Sequence, residues 1–527
     1  MIKIKFVLFF VGFLLITGCT TTLTAQAPVE NPTANLQSPS PLLPTATIAI
    51  ELSTPTLEPP LQTNGPYFTY LRDVDGTQQI IMMDANGKGR KVISLPEGIA
   101  NSLSDKKYNL NLNLISPDGK WMAFYTGFVD SYSSEAVDGA YRYDLALNLL
   151  DLATGEIQVI TRLLSDDYPN NFAEAEKKIN EPGITASTLR EAFLNGITQA
   201  IAWAPEGGYL AFAGQMDGLS SDLYLYDVEN AVIRRLSDGD KEIQSLDWSP
   251  NGDWILHSSV YKVGVGMKYD IYSAAVNGSS VKYLSSASSD YRIWVNSSTY
   301  LEHDNENVFG DFGFRLVDLN TGHIYNIWDG PVMSYDLNVE KGKFAVAAHM
   351  FPQSPYVNRD QPSDFVPGLY LIDVNTYKVT NIKLPNGDDV FGYYINSFGL
   401  EGNSFSLTGF GLNQKPYLLS DADELLELDF KGAKYIESSP DASCWIVVTD
   451  KAINVYSPDN IQIGSISLPF LDVQRTFFVW KPDSSGLFLL YNTNIYSLNI
   501  ATGEISLIDD GLLDSFWGSR YMWINIQ

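Results

Sequence analysis

The stretch Ser116–Phe124, "SPDGKWMAF", returns as "APEGGYLAF" at 204–212, "SPNGDWILH" at 249–257, "SPDASCWIV" at 439–447 and "KPDSSGLFL" at 481–489. Its proline presets φ for a turn and its Asp-Gly or Asn-Gly supplies a tight reversal, while alternation on each side buries one face of the flanking strands. Each copy is therefore a hairpin. Around it runs a unit of four short strands, of which residues 199–237 show all: "QAIAWAP", "YLAFAGQ", "DLYLYDVEN" and "AVIRRLS". Strand a ends at the Ser-Pro turn, b follows, c often ends in Asp-Val or Asp-Leu, and d comes after a Gly or Asn turn. Trp203, Trp248 and Trp480 each stand two residues before the turn proline, and Trp121 and Trp254 four after it. Such regular placement marks packing positions.

Four-stranded antiparallel units at this period predict a β-propeller, in which each sheet buries its faces against its neighbours. "SPDGKWMAF" and "LRDVDGTQQIIMMDANGKGRKVISL" (71–95) resemble the WD40-like repeat of TolB-type propellers. The chain is also similar to the propeller of the prolyl oligopeptidase family. The resemblance covers roughly residues 65 to 527, more weakly from 288 to 430, where "NSS", "EKG" and "EGN" replace the Ser-Pro turn. It implies an all-β chain with a single propeller. Eight complete units fit between about 107 and 509. Residues 65–98 supply b, c and d of another, and "LDSFWGSRYMWINIQ" at the other end offers its strand a as a closing clasp, so eight and nine blades both stand open.

The first 18 residues read as an export signal: Lys3 and Lys5 precede an apolar run from Phe6 to Ile16, too short to span a bilayer. The run ends in "ITGC", which resembles the bacterial lipoprotein box. That resemblance implies cleavage before Cys19 and lipidation of its thiol, hence an extracytoplasmic protein held at a bacterial membrane, either on the cell surface or in a periplasm, through Cys19 alone. Residues 20–64 hold eight prolines, no aromatic residue and no base, so they cannot pack a core and read as a tether. Their reach is roughly 40 Å as a coil and about 140 Å extended. The other cysteine, Cys444 in "SCWIVV", reads as a small core residue with no disulfide partner.

With 62 acids against 34 bases and a net charge of -28, nucleic acid is excluded as a partner, because no basic cluster exists to displace counterions. No G-x-S-x-G elbow, P-loop, dinucleotide fingerprint or H-E-x-x-H occurs, so neither an enzymatic activity nor a cofactor is expected. His257, His303 and His349 recur at an interval of 46. Neighbouring blades hold equivalent positions near 10 Å apart, too far for one metal ion, so the interval reports the repeat. Asp247 and Glu437 each lie three residues before a turn proline on strands a of units four apart. They are candidate channel carboxylates. "DVDGTQQ" (73–79) has the opening of a calcium loop without its later acids and reads as a hairpin.

In a propeller the a–b and c–d turns share one face, and the b–c and d–a connections share the other. The first set is short ("SPDG", "SPNG", "NGSS", "NTGH", "ATGE"). The second includes residues 127–144, 261–270 and 351–368 and the insertion of about 165–197, whose segments around Pro182 and Gly183 have helical character. Long loops on a rigid scaffold are where binding resides. Tyr132, Tyr141, Tyr143, Leu189, Phe193, Leu194 and Tyr356 are the binding-face candidates. The expected function is a non-catalytic binding or scaffold module for a protein or cell-envelope component. A glycan-binding or glycan-active propeller, or a sensor or solute-binding subunit of a membrane complex, are the alternatives.

Overall fold

The structure, a computed structural model, describes residues 60–62, 65–74, 77–94, 114–126, 145–166, 197, 200–217, 220–238, 242–263, 266–287, 292–303, 312–339, 341–348, 366–390, 393–398, 405–409, 417–419, 423–427, 433–441, 443–450, 452–457, 461–468, 472, 475–512 and 521–524. They form eight four-stranded antiparallel sheets and one of three strands. The chain is a β-propeller.

The first sheet is the clasp. Its strand a is Tyr521–Ile524 from the C-terminal end, paired antiparallel with Tyr67–Val74 from Tyr67↔Ile524 to Tyr70↔Tyr521, and Thr77–Asp84 and Arg90–Ser94 complete it. The second sheet has three strands, Trp121–Thr126, Ala146–Asp151 and Ile157–Arg162, with Ile115 bridging Met122 where strand a would run. The third is Ile201–Trp203, Tyr209–Gly214, Asp222–Asp227 and Val232–Arg235, and the fourth Ile243–Trp248, Trp254–Val263, Gly266–Ala275 and Val281–Ala287. Five more four-stranded sheets span 292–331, 334–382, 393–427, 435–467 and 476–509. Both expected counts thus have a physical counterpart: eight blades are complete, and the unit beginning near 107 forms the three-stranded sheet.

The recurring Ser-Pro turn has one construction. Ser116 Oγ accepts from Trp121 N at 3.0 Å and donates to Asp118 Oδ1 at 2.6 Å; Ser249 repeats this with Trp254 N and Asn251 at 2.9 and 2.8 Å. Ser439 does the same with Cys444 N and Asp441. The serine hydroxyl thus replaces a ladder bond that the turn interrupts. Gly119 and Gly252 take φ of 71° and 73°, which a β-carbon would oppose. At the c–d turns the Asp of the Asp-Val or Asp-Leu pair caps the reversal: Asp151, Asp318 and Asp373 each accept from the backbone N–H groups two and three residues on, at 2.7 to 3.0 Å. The Asp73–Gln79 stretch is a hairpin, with Val74 opposite Thr77.

Neighbouring sheets share apolar clusters. Leu147, Leu149 and Leu163 of the second meet Trp203, Leu210 and Phe212 of the third, and Ala211 and Leu225 of the third meet Trp248 and Ile255 of the fourth. Two of the three tryptophans before a turn proline add a polar stitch, Trp480 Nε1 having no hydrogen-bond partner among the described residues. Trp203 Nε1 donates to Leu114 O at 2.7 Å and Trp248 Nε1 to Ala202 O at 2.9 Å, each reaching back to the preceding unit. Cys444 is buried, and burial raises its thiol pKa. At the closure, Phe68 and Tyr70 of the first sheet pack with Phe488 and Leu490 of the ninth. Beside them the fully buried Asp509 carboxylate accepts from Tyr70 Oη at 2.6 Å and pairs with Arg90 at 3.1 Å and Arg72 at 3.3 Å.

Candidate functional site

Strand limits divide the ring into two unlike faces. Connections of the a–b and c–d kind are all four to six residues long from the third sheet onward. Those of the b–c and d–a kind run from two residues to the 38 between Arg162 and Ile201. One expected long loop is not there. Residues 261–270 are mostly strand, because Trp254–Val263 and Gly266–Ala275 extend to ten residues each and pair to Val263↔Gly266, leaving two residues to reverse the chain. Alternating valine and glycine read as loop; the extended strands of the fourth sheet make it a long hairpin instead.

Tyr132, Tyr141, Tyr143, Leu189, Phe193, Leu194, Tyr356, Cys19 and His349 lie outside the described residues, as does nearly all of the expected helical insertion. Its two ends are described and firmly seated: Ser165 N donates to Gln215 O at 2.8 Å, and Ile197 is buried, its carbonyl accepting from Tyr125 Oη at 3.2 Å. Asp247 and Glu437 are on strands a of the fourth and eighth sheets, both half-buried, and Glu437 accepts from Tyr435 Oη at 2.7 Å. His257 and His303 lie on strands b of successive sheets, His257 flat against Tyr272 and His303 tilted on Phe314, and no group of three or more metal-ligating side chains occurs among the described residues.

The best-formed polar constellation among the described residues lies in the seam between the third and fourth sheets. The third sheet's strand c opens with Asp222, and Arg235 near the end of strand d stands opposite Tyr224, which places its guanidinium diagonally beside residue 222. Arg235 pairs with Asp222 at 2.5 Å, Asp238 at 2.7 Å and Asp217 at 3.0 Å, the last also accepting from Tyr224 Oη. Ser237 Oγ accepts from Leu223 N and Ser221 Oγ from Ile243 N, both at 2.8 Å. Ser221 N donates to Glu242 Oε2 at 3.1 Å. Burial, reinforced by Asp222, raises the Glu242 carboxyl pKa to about 7 despite the Ser221 hydrogen bonds.

Across the seam stands His257. Its ring is 4% exposed and stacked on Tyr272 at 5.2 Å with a 10° tilt. Neither ring nitrogen has a hydrogen-bond partner among the described residues. Burial first, and the Arg292 guanidinium second, lower its pKa to about 3, so the imidazole is neutral. Between these groups is a cavity of about 210 Å3, lined among others by Ser221, Asp222, Ser237, His257, Ser259 and Tyr272. The sequence drew attention to His257 only as a repeat position. The available signal was "RRLSDGDKEI" (234–243), a d–a connection with three acids behind two arginines.

No family model matches the sequence. Part of the chain is similar to an uncharacterized protein of Agrobacterium fabrum, 26% identical over 139 residues, which is 24% of this chain and 45% of that protein. The match thus spans less than half the relative's length. Among solved structures the chain is similar to a eukaryotic initiation factor, at TM-score 0.46 and 13% identity over 78% of this chain and 90% of that one. It is similar also to TolB from Acinetobacter baumannii, at 0.27 and 15% over 59% and 62%. A third is dipeptidyl peptidase 4 of Porphyromonas gingivalis, at 0.40 and 14% over 65% and 58%. The propeller rests on the strand pairing above, and none of these likenesses bears on activity.

Proposed function

We propose that the protein is a lipid-anchored, extracytoplasmic propeller that acts without catalysis as a binding or scaffold module for a protein or cell-envelope component. The observation that carries this reading is the inequality of the two faces. A ring needs only a few residues to pass from strand to strand, and one face keeps to four to six residues while the other takes up to 38. Length in a connection costs little, and it is where a rigid scaffold presents contacts. The leader, the Cys19 box and the proline-rich tether supply the anchor in this reading.

Replacing Asn170–Asn195 with a short Gly-Ser link tests it, since the seats at Ser165 and Ile197 stay in place. Partners captured from crosslinked cells should fall at least tenfold with the melting curve unchanged, while a Gly-Ser extension at Asn277–Ser279 on the opposite face should leave capture intact. The reverse pattern would assign binding to the short-turn face. A Cys19→Ala variant should lose its lipid mass and accumulate as precursor; normal processing to a soluble protein removes the anchor from the proposal.

A further inference from the structure

We infer that the ring stands with its short-turn face toward the anchoring membrane and displays its long connections to the aqueous side. This inference rests on the anchored reading above and adds an orientation to it.

The closing sheet decides where the chain enters. In the other four-stranded sheets strand a turns directly into strand b, whereas in the first sheet strand a is Tyr521–Ile524, from the far end of the chain, and strand b begins at Tyr67. Their pairing starts at Tyr67↔Ile524. The first residue of strand b thus stands where the other sheets have an a–b turn, and the chain reaches it from the short-turn face.

Residues 60–62 are seated on that same face. Gln62 N donates to Asp84 Oδ2 at 2.9 Å, and Asp84 is the last residue of strand c, fully buried where the c–d turn begins. Across that turn Asp84 N donates to Gly89 O at 2.9 Å. Gly89 has no room for a side chain, because a β-carbon there would stand 2.7 Å from Pro60 O and 3.0 Å from Gln62 N. Leu61 packs against the cluster that holds Tyr67, Ile80, Met82 and Ile93. A hydrogen bond to a buried carboxylate, apolar packing and close backbone contact therefore fix these three residues at the c–d turn. The tether starts from there.

Strand height makes the two faces unequal for an anchor. A six-residue strand such as Tyr209–Gly214 rises about 20 Å from one face to the other. To bring the long connections to the bilayer the tether would have to double back over that height, about half of its coil reach of roughly 40 Å. Leaving them outward needs no such path.

The test is energy transfer on the lipidated full chain in phosphatidylcholine vesicles that carry an acceptor dye on their headgroups. The donor sits on one introduced cysteine. Ser279→Cys places it in the c–d turn of the fourth sheet, and Asp166→Cys, at a side chain 88% exposed, places it where strand d of the second sheet passes into the long connection. Cys444 is buried with its thiol pKa raised, so it does not take the label. Transfer from residue 279 should be at least twice that from residue 166, and the gap should widen when Thr20–Glu58 is replaced by a short Gly-Ser link. The mass of the same sample separates two failures. A chain without lipid on Cys19 removes the anchored reading and this inference with it. A lipidated chain with equal transfer at both sites, or stronger transfer at residue 166, overturns the orientation alone.

Discussion

Between the ninth and first sheets a buried carboxylate meets a phenol and two guanidiniums, whereas between the third and fourth a buried imidazole has no partner among the described residues and a cavity stands beside it. Both seams join sheets of the same construction. At the closure the chain's two ends must find each other across more than 400 residues, and complementary charge there opposes any other pairing of the clasp strand. No such demand falls on the third and fourth sheets, which are neighbours in sequence. The polar groups between them are held differently, His257 by stacking on Tyr272 and Arg235 by three carboxylates. A carboxylate paired with two guanidiniums across the closure is thus read as a latch.

The largest effect should come from breaking the latch. Asp509→Ala leaves Arg72, Arg90 and Tyr70 facing each other without the anion between them. Removing one partner from a buried charge network costs about 3–5 kcal/mol. Chemical denaturation should show that loss, together with early protease cleavage near the C-terminal strand. His257→Phe should cost under about 1 kcal/mol, because a phenyl keeps the stack on Tyr272 and removes two unsatisfied nitrogens. Equal losses from the two variants would show that the seams do not differ in kind.

Titration sharpens the contrast within the open seam, where two groups pull in opposite directions. Glu242 rises from 4.5 to about 7 on folding. Between those values the unfolded chain has released this proton and the native chain holds it, so stability falls as pH rises through that window and is constant above it. His257 drops from 6.5 to about 3. Between those values the unfolded chain is protonated and the native ring is not, so stability rises with pH. From pH 4.5 to 6.5 the two slopes oppose each other. Glu242→Gln removes one of them: relative to wild type, the variant should gain about 1.4 kcal/mol per pH unit from 4.5 upward, reaching at most roughly 3 kcal/mol near pH 7. A pH-independent difference would show that Glu242 titrates normally.

The hairpins, the repeat and the closing clasp were all legible, because each depends on local spacing: Pro117, Gly119 and Trp121 fix a turn wherever they recur, and "YMWI" has the alternation of an edge-completing strand. The fourth sheet's long hairpin was not, since Val263 and Gly266 carry a loop's composition and are drawn into strand by pairing that only the sheet supplies. The seam cavity was still less visible. Asp222, Arg235, Glu242 and His257 come from four different segments, and what makes them a constellation is the stacking of one blade on the next. His257 could be seen from its interval but not from its surroundings. Ring closure by Asp509 has the same origin: its partners Tyr70, Arg72 and Arg90 lie more than 400 residues away in the chain.

The smallest predicted effect concerns the seams that the tryptophans stitch. Trp248 and Trp294 both close strand a of their sheets and are equally buried, at 6% and 8% exposure. They differ in one respect. Trp248 Nε1 donates to Ala202 O of the preceding sheet at 2.9 Å, whereas Trp294 Nε1 has no partner among the described residues. Trp→Phe at either position removes the same ring volume, so the cavity penalties are comparable and the difference between the variants combines the bond lost at Trp248 with the relief of an unsatisfied N–H at Trp294. A neutral bond of this kind contributes about 0.5–1.5 kcal/mol net, and its loss leaves the Ala202 carbonyl short of one donor. Trp248→Phe should therefore cost at least about 1 kcal/mol more than Trp294→Phe in matched denaturation curves. If the two cost the same, the indoles act through packing alone, and the regular tryptophans of the repeat hold the blades together by shape rather than by reaching across to the next one.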